Sequence, residues 1–289
     1  MQLADRLPVS LISVDSALIY RGMNIGTAKP DSKTLSAYPH HLVDIKDASE
    51  SYSAAEFRQD VLRLIQEAHR AQRIPLLVGG TMMYFNALLK GLAALPASDP
   101  ALRAQLDQRV KTEGIEALHA DLSKVDPVAA ARLHPTDTQR VQRALEVFLL
   151  TGRSMTSHWD QQESIELSFK PLCIGLMPDD RAVLHQRIAE RFQLMLDEGF
   201  EKEVADLYQR GDLNETMPSI RCVGYRQMWH YFKGELTYQQ MKEKSIVATR
   251  QLAKRQYTWL RSWPDLNCLS NNKQNYLQDC LKLIEGRVI

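Results

Sequence analysis

Three short apolar runs separated by helical patterns restrict this fold more than any other feature of the sequence. Val9–Val14 reads as a buried strand bounded by Pro8 and by Asp15-Ser16, and residues 41–45 and 74–78 read as two more. Residues 53–71 form an amphipathic helical pattern. Ser53 is placed to cap it, and Glu56 three residues later completes a capping box. Gly79-Gly80-Thr81 then opens another helix that reaches about Lys90. Strands alternating with helices pack as a parallel sheet covered on both faces, so the predicted class is α/β. In such sheets ligands bind beyond the carboxyl ends of the strands. Asp15 and Gly79-Gly80-Thr81 both fall there.

The pattern changes between Asp99 and about Glu166. Only helices are expected, separated by Gly114, Asp126-Pro127 and His134-Pro135. This predicts an all-helical insertion over 99–165 in a core made of 1–98 and 166–289. The strand signal returns at 171–176. Helices are expected over 180–198 and 200–210, each closed by a glycine, Gly199 and Gly211. A long helix covers Tyr238–Arg261, and a short strand follows at 266–269. Met1–Leu7 resembles the tail of a helix, and a fold of this kind places a strand and a turn before such a helix.

The chain has 289 residues, with 36 basic and 35 acidic residues for a net charge of +1. Its apolar runs are far too short to span a bilayer, and no secretory signal is visible at the start. Cys173, Cys222, Cys268 and Cys280 lie far apart without metal-ligand or redox spacing, which fits reduced thiols in a cytoplasmic protein. The adjacent His40 and His41 point to opposite sides of an extended segment and make a poor metal pair.

Balanced overall, the charges are segregated locally. No acidic residue occurs from Lys244 to Pro264. At about 100° per residue, Arg250, Lys254, Tyr257 and Arg261 fall in one stripe roughly 60° wide. Leu252 and Trp259 are expected to face the opposite way, toward a core. A basic stripe with an aromatic ring suits a phosphate backbone and a stacked base; a solvated basic face is the plainer alternative.

Asp15, just beyond a buried strand, is placed to serve as a general base, to hold a cation, or to cap the next element. The two glycines before Thr81 let backbone N–H groups approach an anion at a helix start; a tight turn capped by Thr81 needs the same residues. Lys29 in Gly26-Thr27-Ala28-Lys29-Pro30 can meet a phosphate or lie on the surface. Val141, Leu145 and Phe148 share a face expected to be core, while Arg140 and Arg143 lie on another that suits phosphate contacts. Arg221 and Arg226 flank Gly224, and guanidinium forks match diphosphate oxygens or a structural ion pair.

Residues 12–23, 25–30, 77–81, 219–227 and 250–261 resemble the bacterial tRNA dimethylallyltransferase family, as does the sequence between them. The resemblance implies a P-loop NTPase-like core with a helical insertion that grips the anticodon stem-loop. It implies transfer of a dimethylallyl group from dimethylallyl diphosphate to N6 of the adenosine 3′ of the anticodon. The acceptor base would be flipped into a channel, and Mg²⁺ would accompany the diphosphate. Asp15 resembles the family's general base and Arg221 the arginine that steadies the departing diphosphate; with Thr81 they form the expected catalytic set. Contacts to tRNA are implied for Asp15, Ser16, Ala17 and Leu18, and for Thr81 and Arg103. They are implied also for Gln139, Arg140, Val141, Gln142 and Arg143, and for Arg221, Cys222, Val223, Gly224, Tyr225 and Arg226. The last group is Lys254, Arg255, Gln256, Tyr257, Thr258, Trp259, Leu260 and Arg261.

The family carries a G-x-T-x-x-G-K-[ST] phosphate loop. No such string occurs in the 289 residues. The expectation is that it belongs upstream of Met1 and that donor binding is compromised without it. Two other classes fit parts of the pattern. A tRNA-binding protein without a donor site would bind and not transfer. A small-molecule kinase of related core would not need the acid-free helix. A monomer is the expected state.

Overall fold

The computed structural model describes residues 1–161, 167, 169–270 and 275–288. Its central strand, β1 (Val9–Val14), has parallel neighbours on both sides. After α1 (Ser32–Ala37), β2 (His40–His41) pairs with β1 only at Leu11–His40 and Ile12–His41. The strand expected over 41–45 is cut short because Leu42 and Asp44 hold φ of 63° and 55°, left-handed backbone that a β ladder does not accommodate. α2 (Ala54–Arg70) forms as expected. The Glu56 N–H donates to Ser53 Oγ at 3.1 Å and the Ser53 N–H to the Glu56 carboxylate at 2.8 Å. Phe57, Val61, Leu64, Ile65 and Ala68 form its buried stripe. β3 (Ile74–Gly79) pairs with β1 along its whole length and leads into α3 (Met82–Lys90). At Gly79 a Cβ would lie 2.1 Å from the Val14 carbonyl oxygen, so only glycine lets the two strands end this close together. Tyr84 of α3 stacks on Phe57 of α2, with ring centroids 4.3 Å apart. Each large apolar side chain buried here contributes about 1.5–3 kcal/mol.

Five helices form a compact unit of their own: α4 (Pro100–Glu113), α5 (Ile115–Val125), α6 (Pro127–Arg132), α7 (Thr138–Thr151) and α8 (Met155–Asp160). Asp99, Asp126 and Asp137 cap α4, α6 and α7, with Pro100 and Pro127 at the first helical position of the first two. Leu106, Leu118, Leu122, Val141 and Leu145 make its core. The unit spans residues 90–166, starting before the expected residue 99. The cause is local: Leu95 packs on that core, and the Pro96 carbonyl accepts from Arg143 at 2.7 Å.

The remaining elements belong with 1–89 in the other unit. They are β4 (Cys173–Met177), α9 (Arg181–Asp197), α10 (Phe200–Gln209), α11 (Tyr225–Phe232), α12 (Tyr238–Arg261), β5 (Leu266–Ser270) and α13 (Tyr276–Val288). β4 and β5 pair in parallel, and among the described residues no ladder joins them to β2-β1-β3. The single expected sheet is therefore two. Gly199 and Gly211 hold φ of 102° and 76°, the left-handed turns their sequence positions predict. Met1–Leu7 forms turns, with the Leu7 N–H on the Leu3 carbonyl at 2.9 Å, rather than a regular helix. A core of Tyr20, Met23, Phe200, Tyr225 and Met228 packs beyond β1, and no described helix is long and apolar enough to cross a membrane.

Candidate active site

The carboxyl ends of β1 and β3 bring Asp15 and Thr81 together. Asp15 Oδ1 accepts from the N–H groups of Ala17 at 2.8 Å and Leu18 at 3.2 Å. Both bonds go to one oxygen, and Oδ2 takes part in neither. The Ser16 N–H donates to Thr81 Oγ1 at 3.0 Å, and the Thr81 hydroxyl reaches Ser16 Oγ at 3.3 Å. The Thr81 N–H in turn donates to the Val14 carbonyl at 3.1 Å. Asp15, Ser16 and Thr81 thus form one hydrogen-bonded turn across two strand ends, and this turn is only partly buried.

Tyr84 and Cys222 flank the carboxylate. Burial pushes the Cys222 thiol up to about 12, and the negative charge of Asp15 adds to it. Cys222 is therefore a neutral thiol near pH 7 and no nucleophile. Burial, and then Asp15, push the Tyr84 phenol to about 12 as well. Cys222 lies in the turns before α11 with Arg221 and Val223, and Gly224 enters the helix at φ 90°. Arg221 is exposed. Arg226 lines an open cavity of about 420 Å³ with His230 and Lys244. Tyr225 is fully buried: its hydroxyl donates to Glu203, so its side chain is structural.

Glu203 gave no signal in the sequence. Its carboxylate accepts from the N–H groups of Asn24, Ile25 and Gly26 at 2.7, 2.8 and 3.1 Å. The backbone nest after the Asp15 turn is thereby filled from within the chain. Lys29 is also internal. Its buried ammonium bonds the Tyr20 carbonyl at 2.7 Å and pairs with Asp44, so the phosphate reading of Lys29 fails.

α12 corrects a second expectation. Leu252 and Trp259 are exposed rather than turned to a core. The side turned inward carries Gln256 and Tyr257, whose polar tips bond the Gly80 carbonyl at 3.0 Å and the Pro178 carbonyl at 3.1 Å. A helix whose inward face bonds backbone carbonyls buries no large apolar stripe, which is why periodicity misassigned it. Lys254, Arg255, Thr258 and Arg261 are exposed, and Leu260 is half-buried. Ala17 and Leu18 are half-buried beside Asp15.

In the helical unit, Arg140 is exposed and pairs with Asp137 at 3.3 Å, and Gln139 is exposed. Val141 and Gln142 are buried, the latter donating to Asp107 at 2.7 Å, so their side chains hold the unit together and cannot reach RNA. Arg143 and Arg103 lie 2.7 and 3.5 Å from the fully buried Glu146 carboxylate. Burial raises the Glu146 pKa, but bonds from Ser98, Arg143 and Asp99 outweigh it and the net shift is downward.

Glu215, His230 and Glu235 form a metal-like cluster among the described residues. Lys233 already bridges its two carboxylates at 2.9 and 2.6 Å. An ammonium and an imidazole suit Mg²⁺ poorly, since that ion takes oxygen ligands in near-octahedral geometry. At the strand ends, the Asp15 carboxylate and the Ser16 and Thr81 hydroxyls supply oxygen donors without a closed cage, a set that suits an ion completed by water and substrate phosphates.

A family model described as IPP transferase matches residues 18–263. The chain is 50% identical over 301 residues to tRNA dimethylallyltransferase 2 of Hahella chejuensis, with 100% of this chain and 91% of the relative covered. The full-length tRNA isopentenylpyrophosphate transferase of Bacillus halodurans is similar at a TM-score of 0.70 and 37% identity, over 99% of this chain and 90% of that one. A eukaryotic dimethylallyltransferase captured acting on tRNA matches at a TM-score of 0.79 and 26% identity, over 98% and 73% of the two chains. Those enzymes share a P-loop NTPase-like fold, the class expected from the sequence. With a family model over most of its length and a half-identical relative over all of it, the chain belongs to the IPP transferase family of tRNA dimethylallyltransferases and is a transferase.

Proposed function

We propose that this protein transfers a dimethylallyl group from dimethylallyl diphosphate to N6 of the adenosine 3′ of the tRNA anticodon. The observation that carries the reading is Asp15, held by two amides on one oxygen with the other left over, beside the Thr81 turn. In the transfer a bond forms between N6 and the allylic carbon while the bond from that carbon to the diphosphate oxygen breaks. The electron pair leaves with the diphosphate, and the N6 proton passes to Asp15 Oδ2. Positive charge helps most where the leaving group gathers negative charge; the exposed Arg221 is the residue we assign to it. Mg²⁺ enters this reading only as the counter-ion of the donor diphosphate. The exposed cations of α12 and Arg140 grip the RNA backbone, and the protein works as a cytoplasmic monomer.

Asp15→Asn tests the assignment. The Asn carbonyl can still accept from Ala17 and Leu18, so the turn persists, but the side chain cannot take the proton. General-base catalysis is worth about 10²–10⁴-fold. In a chain with the phosphate loop restored upstream of Met1, transfer of labelled dimethylallyl to an anticodon stem-loop should fall by that factor while RNA affinity stays within twofold. A variant that turns over normally would remove Asp15 from this role.

A further inference from the structure

α12 touches the Asp15 turn through one side chain that the transfer chemistry does not use. The Gln256 carboxamide donates to the Gly80 carbonyl at 3.0 Å, across 176 positions of sequence. Gly80 precedes Thr81, whose N–H holds the Val14 carbonyl and whose Oγ1 holds the Ser16 N–H at 3.0 Å. Ser16 adjoins Asp15. The path from the basic helix to the carboxylate therefore runs through two hydrogen bonds and two peptide links.

Gly80 carries an independent mark of the same contact. A Cβ built there would lie 2.3 Å from Gln256 Nε2 and 3.5 Å from its Cδ, and would meet nothing else within 4 Å. Gly80 is not among the residues with left-handed φ. Its backbone would accept alanine; the approach of the Gln256 carboxamide would not. Lys254 and Arg255, the two residues before Gln256, are exposed, and the proposed function assigns them to the RNA.

We infer that Gln256 is a positioning residue for the transfer: its carboxamide fixes the Gly80 carbonyl and, through Thr81 and Ser16, the orientation of Asp15. The helix that grips the RNA and the turn that accepts the proton are thereby held in one register. This rests on the transferase reading above. Gln256 donates without adding a charge beside the carboxylate, which a lysine in its place would do.

The test compares Gln256→Ala, Gln256→Glu, Gly80→Ala and the Gly80→Ala/Gln256→Ala double variant with the unaltered chain. The measurements are kcat and KM for an anticodon stem-loop with labelled dimethylallyl diphosphate, RNA affinity, and the thermal midpoint. Losing one hydrogen bond corresponds to roughly 2- to 12-fold in rate. Gln256→Ala and Gly80→Ala should each lower kcat within that range, with RNA affinity changed less than twofold. The double variant should be no slower than the slower single, because both changes break one bond. Gln256→Glu keeps the length but faces a carbonyl oxygen with an acceptor, so it should lose as much as Gln256→Ala. Multiplying losses in the double variant, full kcat in Gln256→Glu, or a loss of RNA affinity at unchanged kcat would each overturn the inference. The unaltered chain and every variant carry the phosphate loop restored upstream of Met1, and failure of that unaltered chain to transfer at all would overturn the transferase reading, and this inference with it.

Discussion

Removing the Glu203 carboxylate should loosen the segment that follows the Asp15 turn. Glu203 sits in the first turn of α10, where a negative charge is favourable. It accepts four hydrogen bonds, from Asn24, Ile25 and Gly26 and from the Tyr225 hydroxyl. The bond from Asn24 is exposed, and water replaces it in Glu203→Ala. The other three donors are partly buried, and an unsatisfied one costs about 1–3 kcal/mol. Truncation opens room for water, so the lower half of that range applies and the total is about 3–6 kcal/mol. Against a typical stability of about 5–15 kcal/mol this is a large share. Glu203→Gln keeps one acceptor oxygen and should lose about half as much. Urea titration followed by hydrogen exchange in peptides from residues 19–30 and 200–209 isolates this unit from the helical one, whose unfolding would otherwise blur a single midpoint. A loss below about 1 kcal/mol for Glu203→Ala would show that the nest is satisfied by water and that the reasoning fails.

Glu146→Gln should destabilise the helical unit by about 1.5–3 kcal/mol at pH 7, because Arg143 and Arg103, themselves partly exposed, lose a fully buried counter-charge. Its folded pKa is depressed, so the contribution is present above the unfolded value near pH 4.3 and is lost as pH falls through the folded one. The gap between Glu146→Gln and the unaltered protein in urea unfolding should therefore close on acidification, and a gap that widened would contradict the assignment. Replacing Lys254, Arg255 and Arg261 by Ala should weaken RNA binding and flatten its salt dependence, the slope falling by a little under one unit for each phosphate that is no longer neutralised. An unchanged slope in filter binding across a salt series would show that this face does not meet the backbone.

Much of the site was legible because its rules are local. Ser53 and Glu56 cap α2 within one helical turn, and Gly79 and Thr81 mark a strand-to-helix junction by residue type alone. Asp15 stood out because it follows an apolar run that reads as a strand, which β1 is. Lys29 was misleading for the opposite reason: its partners, Tyr20 and Asp44, are set by how the chain turns at Leu42 and Asp44, and no spacing encodes them. The inward face of α12 was misassigned because amphipathic reasoning assumes that burial is apolar, whereas here it is carried by Gln256 and Tyr257 on backbone carbonyls.

The sequence by itself determined the α/β class, the caps, and the position of a carboxylate and a Gly-Gly-Thr turn at strand ends. Each of these depends on residues within a few positions of one another, where propensity and periodicity act. Tertiary structure alone decided that Glu203 fills the nest at Asn24–Gly26, that the described β strands form two sheets, and that Gln256 reaches Gly80. Those pairings join residues far apart in the chain, and only the packing of whole elements brings their donors and acceptors within bonding distance.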